Sequence, residues 1–293
     1  MIQTKRISDI DSGQITVHEP LGRRRINFLR SSLILFENVV KSRQLIFQLF
    51  RRDFFNSYRK SFLGAGWLII SPIIAIASWV LMNATGILSP GDVGVPYPVY
   101  VLLGSTIWGL FINFYNAGKM TLDSGAGFIL QVKYPHEALL FKQGLQELSN
   151  FAISLLLNVV VFVCFGVTPS WKLILLPIAL LPLFLLGAGL GLLLAVIKVV
   201  VSDLERAFTV LLGFCIYITP VIYSPRTKNL ILQKIIAINP LTYLIGTARD
   251  LMIPRSSLHY PEFAIASGLS LAVFLIGWRL FYLSEEMIIE KMM

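Results

Sequence analysis

The stretch RRDFFNSYRKSFLGAGWLIISP, residues 51–72, joins a charged segment to an uncharged one. All five of its charged residues lie in the first ten positions, where Phe and Tyr are interspersed among them. From residue 62 to residue 88 the chain carries no charge, and a run of that length can cross a bilayer. The junction therefore predicts a basic interfacial segment that leads directly into a transmembrane helix.

The composition agrees with a membrane protein. Of the 293 residues, 56% are hydrophobic and 14% are charged, whereas soluble domains have about 45–50% and about 25%. The net charge of +9 does not indicate nucleic acid binding, because 12 of the 25 Lys and Arg residues precede the first apolar run. Basic residues in that position mark the cytoplasmic face of a membrane protein. We expect membrane lipids as partners and no nucleic acid.

Apolar runs near the roughly 20 residues needed for a span predict six transmembrane helices. They cover residues 62–88, 97–118, 148–171, 173–197, 207–225 and 263–283. Six spans place both termini on one side of the membrane. With the N-terminus inside, the inner segments hold 19 basic residues and the outer segments hold 6. This bias predicts a multi-pass protein with both termini in the cytoplasm.

The segments outside the spans are predicted from their patterns. Residues 1–37 are basic and aperiodic, which indicates a flexible cytoplasmic tail. Residues 38–60 form an amphipathic interfacial helix, and residues 61–293 form the transmembrane domain. The apolar side of that helix is marked by residues at spacings of three and four, namely Ile46, Phe47, Phe50, Phe54 and Tyr58.

Two connections carry short elements of their own. Residues 119–147 predict a helical elbow on the cytoplasmic side. Between spans five and six, residues 226–257 contain two apolar runs that are too short to span and are separated by Asn239-Pro240. These runs predict two short re-entrant or interfacial helices, although an ordinary outer loop with amphipathic helices has the same pattern. The fold class is therefore an all-α membrane protein.

Several chemistries lack their motifs in this sequence. There is no G-x-x-x-x-G-K-[ST] phosphate loop, so we do not expect this chain to bind ATP through such a loop. Two cysteines and three scattered histidines offer no metal-ligand spacing, and no catalytic residue is predicted. No enzymatic activity is therefore expected of this chain.

Small and aromatic residues are frequent within the spans. Gly187, Gly189 and Gly191 predict close contact between helices. Aromatic rings pack well against the apolar faces of sugar rings, so a polysaccharide path is chemically reasonable, while lipid-facing belts and core packing remain the alternative. The candidate path residues are Trp108, Phe111, Phe114, Tyr115, Tyr217 and Tyr223.

Five stretches, in order along the chain, resemble type-2 ABC permeases that export O-antigen, capsule and teichoic acid polysaccharides. The first matches the R-D-x-x-x-x-Y-R-x-S-x-L-G-x-x-W pattern of that family through Arg52, Asp53, Tyr58, Arg59, Ser61, Leu63, Gly64 and Trp67. The others are YPVYVLLGSTIWGLF (97–111), KYPHEALL (133–140), VSDLERAFTVLLGFCIYITPVIYSP (201–225) and NPLTYLIGTARDLM (239–252). Ser202 stands where that family usually has Arg. The resemblance covers about residues 38–285.

The resemblance implies a transport subunit, a permease of the bacterial inner membrane that pairs with a second copy of itself and with two ATP-binding cassette subunits. ATP and Mg²⁺ would bind those separate subunits, and no cofactor would bind this chain. Its substrate would be a polyprenyl-pyrophosphate-linked glycan. Arginine forks bind phosphate well, so the substrate would enter beside Arg51, Arg52, Arg59, Lys60, Leu63 and Gly64. These basic residues fit equally well a role in binding anionic lipid and setting topology. The elbow would dock the ATPase, with Tyr134, Pro135, His136, Glu137 and Asp203 as candidates.

The sequence is also compatible with two other functions. One is a type-2 ABC permease for a drug or a lipid. The other is a membrane assembly subunit with no transport path. We expect Arg59→Ala to reduce export while assembly stays intact if the leading hypothesis is correct.

Overall fold

The computed structural model describes residues 28–59, 63–129, 136–227, 229–253 and 260–292. Within these ranges the chain forms ten α-helices and no β-strand. They are α1 Phe28–Lys41, α2 Arg43–Arg59, α3 Trp67–Ala84, α4 Tyr97–Ile129, α5 His136–Cys164, α6 Leu176–Val200, α7 Ser202–Ile218, α8 Leu230–Ile238, α9 Pro240–Asp250 and α10 Tyr260–Met292. The predicted all-α fold class is confirmed.

Helix α6 is the centre of the bundle and packs most extensively against α4 and α10. The predicted role of its glycines is confirmed. A Cβ atom on Gly187 would lie 2.7 Å from the Phe111 carbonyl oxygen of α4, and one on Gly189 would lie 2.6 Å from Phe274 Cα of α10. Glycine is thus needed on two faces of α6, because any side chain there would push a neighbouring backbone away.

Five helical segments are long and apolar enough to cross a membrane. They are Trp67–Ala84, Tyr97–Thr121, Ala138–Cys164, Trp171–Val199 and Tyr260–Ser284. A sixth is counted if α8 and α9, bent by 83° at their junction, form one span. The chain is therefore a multi-pass membrane protein, and the predicted runs correspond to these helices in all cases but one.

The exception is the fifth predicted span, residues 207–225. Helix α7 begins earlier, at Ser202, and ends at Ile218, so it has 17 residues. The helix ends before Pro220 because proline has no N–H with which to continue the hydrogen-bond ladder. Residues 219–225 then run as a non-helical segment across the start of α4.

The two predicted short helices after this segment are present as α8 and α9. Asn239 forms the junction between them, and its Oδ1 accepts from the Leu241 N–H at 3.0 Å, which caps α9. Its Nδ2 also donates to Thr219 Oγ1 at 2.8 Å. One asparagine therefore starts α9 and ties the bend to the end of α7.

The N-terminal prediction needs a correction. The tail was predicted to reach residue 37, but α1 already begins at Phe28, and residues 1–27 lie outside the described part. The predicted helix 38–60 is divided near Ser42 into the end of α1 and α2. Val39 of α1 is buried beside Ile46 and Leu49 of α2 against Ala138 and Leu139 of α5, so both helices pack on the start of α5.

The predicted elbow, residues 119–147, consists of the ends of two long helices. Helix α4 continues to Ile129 and α5 begins at His136, while residues 130–135 lie outside the described part. The elbow lies at the same end of the bundle as α2, because α2 packs on the start of α5. We call this the α2 end, and the end formed by residues 85–96 and 219–253 the far end.

Candidate functional site

The basic residues at the α2 end lie on an exposed helix face. Arg51 and Arg52 are exposed on α2. Arg59 is the last residue of that helix, but its side chain lies outside the described part, as does the whole of Lys60. Leu63 is exposed, and Gly64 has a φ of 49°, a conformation that favours glycine. This turn connects the basic helix to the first span.

Helix α2 is held against the third span by Asp53. Its Oδ2 accepts from Lys142 Nζ of α5 at 2.9 Å, and its Oδ1 accepts from Arg52 Nε at 2.8 Å. Burial raises the pKa of Asp53, but the hydrogen bonds and positive charges of Arg52 and Lys142 outweigh it, so the pKa lies below its ordinary value. The carboxylate is therefore ionised at neutral pH and fixes α2 against α5.

The aromatic residues predicted to line a path fall into two groups. Trp108, Phe111 and Tyr115 are buried among the side chains of α4, α6 and their neighbours. Because Phe111 and Tyr115 are almost completely enclosed, they do not line an open surface in this conformation. Aromatic composition alone does not distinguish core residues from residues that line a path. The structure places Phe111 and Tyr115 in the core.

The other predicted path residues are more accessible. Phe114 is half-buried and stacks on Phe184 with ring centroids 4.7 Å apart. Tyr217 is exposed, and its backbone carbonyl accepts from Tyr223 Oη at 3.0 Å. The structure therefore brings Tyr217 and Tyr223 together at the end of α7.

The predicted ATPase-docking residues are only partly described. Tyr134 and Pro135 lie outside the described residues, and His136 and Glu137 begin α5 with side chains outside the described part. Asp203 is exposed in the first turn of α7, where a carboxylate is favourable. The docking role of all five stays a prediction.

An ion pair that the sequence did not predict lies near Asp203. Lys119 Nζ of α4 is 2.9 Å from Glu205 Oε1 of α7, and both side chains are largely buried. Thr209, one turn along, shares a 2.8 Å hydrogen bond with Tyr115. These contacts attach α7 to α4 at the α2 end.

Polar residues also lie inside the third span at spacings of three and four. Glu147 accepts from Asn150 at 3.4 Å, and Asn158 donates to Thr106 of α4 at 2.9 Å. Glu147, Asn150, Ser154 and Asn158 form one polar stripe along α5. The periodicity of these residues in the sequence was the signal that could have identified the stripe.

Arg249 connects the elements at the far end of the bundle. Its side chain is 3% exposed, its Nη1 donates to the Pro220 carbonyl at 2.9 Å, and its guanidinium lies 4.1 Å from the Tyr100 ring centroid. Tyr97 and Tyr100 donate to the carbonyls of Ile222 and Tyr223 at 3.0 and 2.8 Å. These contacts attach α9 and the segment after α7 to the start of α4.

Comparison with known proteins identifies the family. The ABC-2 type transporter family matches residues 44–253, which includes α2, the Arg249 region and the helices between them. The chain is similar to two proteins described as O-antigen export system permease protein RfbA. The one from Myxococcus xanthus is 26% identical over 72% of this chain and 81% of its own. The one from Klebsiella pneumoniae is 22% identical over 81% of this chain and 90% of its own. The chain therefore belongs to the ABC-2 type transporter family and is a membrane permease homologous to O-antigen export permeases.

Proposed function

We propose that this chain is the permease subunit of an ATP-driven exporter that moves a lipid-linked polysaccharide across the bacterial inner membrane. The observation that carries the proposal is the docking of α2 by Asp53 and Lys142. This contact holds α2, which carries exposed Arg51 and Arg52 and ends shortly before the glycine turn that leads into the first span. The two RfbA proteins, whose names state O-antigen export, support the same class of substrate.

A polyprenyl-pyrophosphate head group is anionic and lies at the membrane surface. Guanidinium groups bind phosphate through charge-assisted, forked hydrogen bonds, and we place the exposed arginines of α2 at that surface. Exposed apolar residues of α1 and α2, such as Phe36, Phe47 and Phe55, are suited to contact the acyl region of the leaflet. The proposed entrance therefore contacts both the pyrophosphate and the lipid chain of the substrate.

The proposed exporter contains two copies of this chain. Ile76 is the one buried residue of α3, all of which the structure describes, and Val210, Leu211 and Phe214 of α7 are exposed. Because α3 and α7 pack little against the rest of the chain, their exposed faces can contact a second copy and lipid. Two ATP-binding subunits would dock on the elbow at the α2 end, which we place in the cytoplasm with both termini.

Reconstitution tests the proposal. The chain and its ATP-binding partner are placed in proteoliposomes that contain the lipid-linked glycan, and a lectin outside reports the glycan that has crossed. We expect ATP-dependent movement of the glycan in the native chain. The Arg59→Ala variant should move less glycan while the ATP-binding partner stays bound, and Arg43→Ala, at the opposite end of α2, should move as much as the native chain. Movement of a lipid or a drug without any movement of the glycan would contradict the proposal.

A further inference from the structure

A cavity of about 560 Å³ opens at the far end of the bundle. Its walls come from residues 92–94 before α4, from Pro220 and residues 224–226 after α7, and from α8 and α9. Ligand-binding pockets in proteins commonly have volumes of about 300–1,000 Å³. The cavity is therefore large enough for a ligand of several rings, and it is separate from the proposed entrance at the α2 end.

The base of the cavity is rigid. Tyr100 and Arg249 line it, and they are fixed by their mutual stacking and by hydrogen bonds to the backbone of residues 220–223. The Ser224 N–H donates to the Pro90 carbonyl at 2.7 Å, which ties one wall to the next. A ligand would thus meet a site that is formed in advance, and preorganisation favours binding.

The lining combines aromatic rings with groups that donate and accept hydrogen bonds. Its polar and aromatic members besides the base include Asp92, Arg226, Gln233, Thr242, Tyr243 and Asp250. Sugar hydroxyls both donate and accept, and the apolar faces of sugar rings pack against aromatic rings. This mixture suits a hydroxyl-rich ligand better than an apolar one.

Thr242 provides a second, independent observation. Its side chain is 9% exposed, it lines the cavity, and its hydroxyl has no hydrogen-bond partner among the residues that the structure describes. Buried polar groups are nearly always hydrogen-bonded. The Thr242 oxygen is itself covered, so a rotation of this side chain toward the cavity would let a polar ligand supply the missing partner.

Charge decides against a phosphate-bearing ligand. Of the two arginines that line the cavity, Arg249 already contacts Pro220 and Tyr100. The carboxylates of Asp92 and Asp250 would repel an additional anion. We propose that this cavity is a saccharide-binding site that takes sugar units of the exported glycan at the outer mouth of the permease. This inference rests on the proposed function, because it takes the far end to be the exit side.

Direct binding tests the site. The probe is a set of oligosaccharides prepared by partial acid hydrolysis of the bacterium's own surface polysaccharide and labelled at the reducing end. The full chain, in nanodiscs with its co-purified partners, should bind this probe saturably. We expect Tyr243→Ala to weaken binding roughly tenfold and Thr242→Val and Asp92→Asn to weaken it by smaller factors. Tyr260→Ala, which changes an exposed tyrosine outside the lining, is the matched control and should bind as the native chain does.

The binding measurements decide whether the cavity is a saccharide site. Native affinity in the folded Asp92→Asn, Thr242→Val and Tyr243→Ala variants would overturn the site, as would displacement of the probe by phosphatidylglycerol instead of unlabelled oligosaccharide. Asp92→Asn keeps the oxygen that accepts from the Gly94 N–H, so it should fold even if Tyr243→Ala does not. If the glycan crosses in proteoliposomes but the native chain does not bind the oligosaccharides, the cavity inference fails alone. If the oligosaccharides bind but the glycan does not cross, the exporter proposal fails instead.

Discussion

Lys142 and Asp53, 89 positions apart in the sequence, meet at 2.9 Å and join the third span to the interfacial helix. The lysine side chain is 13% exposed and the aspartate side chain 28%. Partial burial weakens solvent screening of the pair, so it contributes more than a typical surface ion pair. The contact determines where the basic residues of α2 lie relative to the first span.

Lys142→Met should loosen α2 without unfolding the bundle. The loss of a charged hydrogen bond at a partly exposed site should cost about 1–2 kcal/mol, and hydrogen exchange of the backbone amides of residues 43–59 should become faster. Arg51→Ala, which changes an exposed residue of the same helix, is the control. If the exchange of α2 in Lys142→Met equals that of the native chain, the pair does not hold the helix.

The pH dependence of this docking follows from the same pair. The pKa of Asp53 is lowered from 3.8 in the folded chain, so the stabilisation is present above 3.8 and is lost as the pH falls through the folded value. Docking of α2 should therefore be constant from pH 7 to pH 5 and weaken only below about pH 4. Asp53→Asn should remove this acid transition, and hydrogen exchange of α2 at a series of pH values measures it.

Gly189→Ala should disturb the centre of the bundle. The added Cβ would lie 2.6 Å from Phe274 Cα, and overpacking of this kind costs about 1–3 kcal/mol. Gly268→Ala of α10 is matched to it, because no atom lies within 4 Å of the Cβ position there. Thermal unfolding in detergent should show a lower midpoint for Gly189→Ala alone. Equal midpoints for the two variants would mean that α6 and α10 can separate freely at this position.

Arg249→Met should weaken the far end. It removes the hydrogen bond to Pro220 and the stacking on Tyr100, which together should cost about 2–4 kcal/mol. Arg249→Lys keeps the charge but loses the planar guanidinium, so its loss should be intermediate. Thermal unfolding of the two variants is compared with that of Arg226→Ala, an exposed arginine of the same region. A native midpoint for Arg249→Met would show that the buried contacts contribute nothing.

Two aromatic substitutions separate packing from transport. Phe111→Ala should cost about 3–5 kcal/mol because the ring is buried in the core. Tyr217→Ala should change stability by no more than about 0.5 kcal/mol, since the side chain is exposed, but it should slow glycan movement if α7 borders the path. Unfolding and proteoliposome transport are measured on both proteins. Normal transport by Tyr217→Ala would remove this residue from the predicted path.

Much of this fold could be predicted from apolar runs. The spans, the short helices α8 and α9 and the close contacts of Gly187, Gly189 and Gly191 depend on local length, periodicity and residue size, which are visible in the sequence. The end of α7 at Ile218 was missed because the apolar run continues past the helix. Hydropathy does not distinguish a helix from a non-helical segment of turns and bends that is held by Tyr97 and Tyr100.

The candidate site was less predictable, because it depends on contacts between distant segments. Asp53 belonged to the first matched pattern, but its partner Lys142 becomes evident only when α2 packs on α5. Phe111 and Tyr115 were predicted path residues because aromatic composition gives no direction for a side chain, and the packing of α4 against α6 encloses them. In the sequence, Arg249 is one of several basic residues in the outer segment. Only the fold shows that it contacts Pro220 and Tyr100.

The most direct test of the exporter proposal is a pull-down of the full chain from its native membrane in mild detergent, followed by mass spectrometry of the proteins and lipids that accompany it. We predict an ATP-binding subunit in equal amount and a co-purifying lipid-linked glycan. A chain that is recovered alone, with no nucleotide-binding partner even after mild cross-linking, would contradict the proposal and favour a membrane assembly subunit.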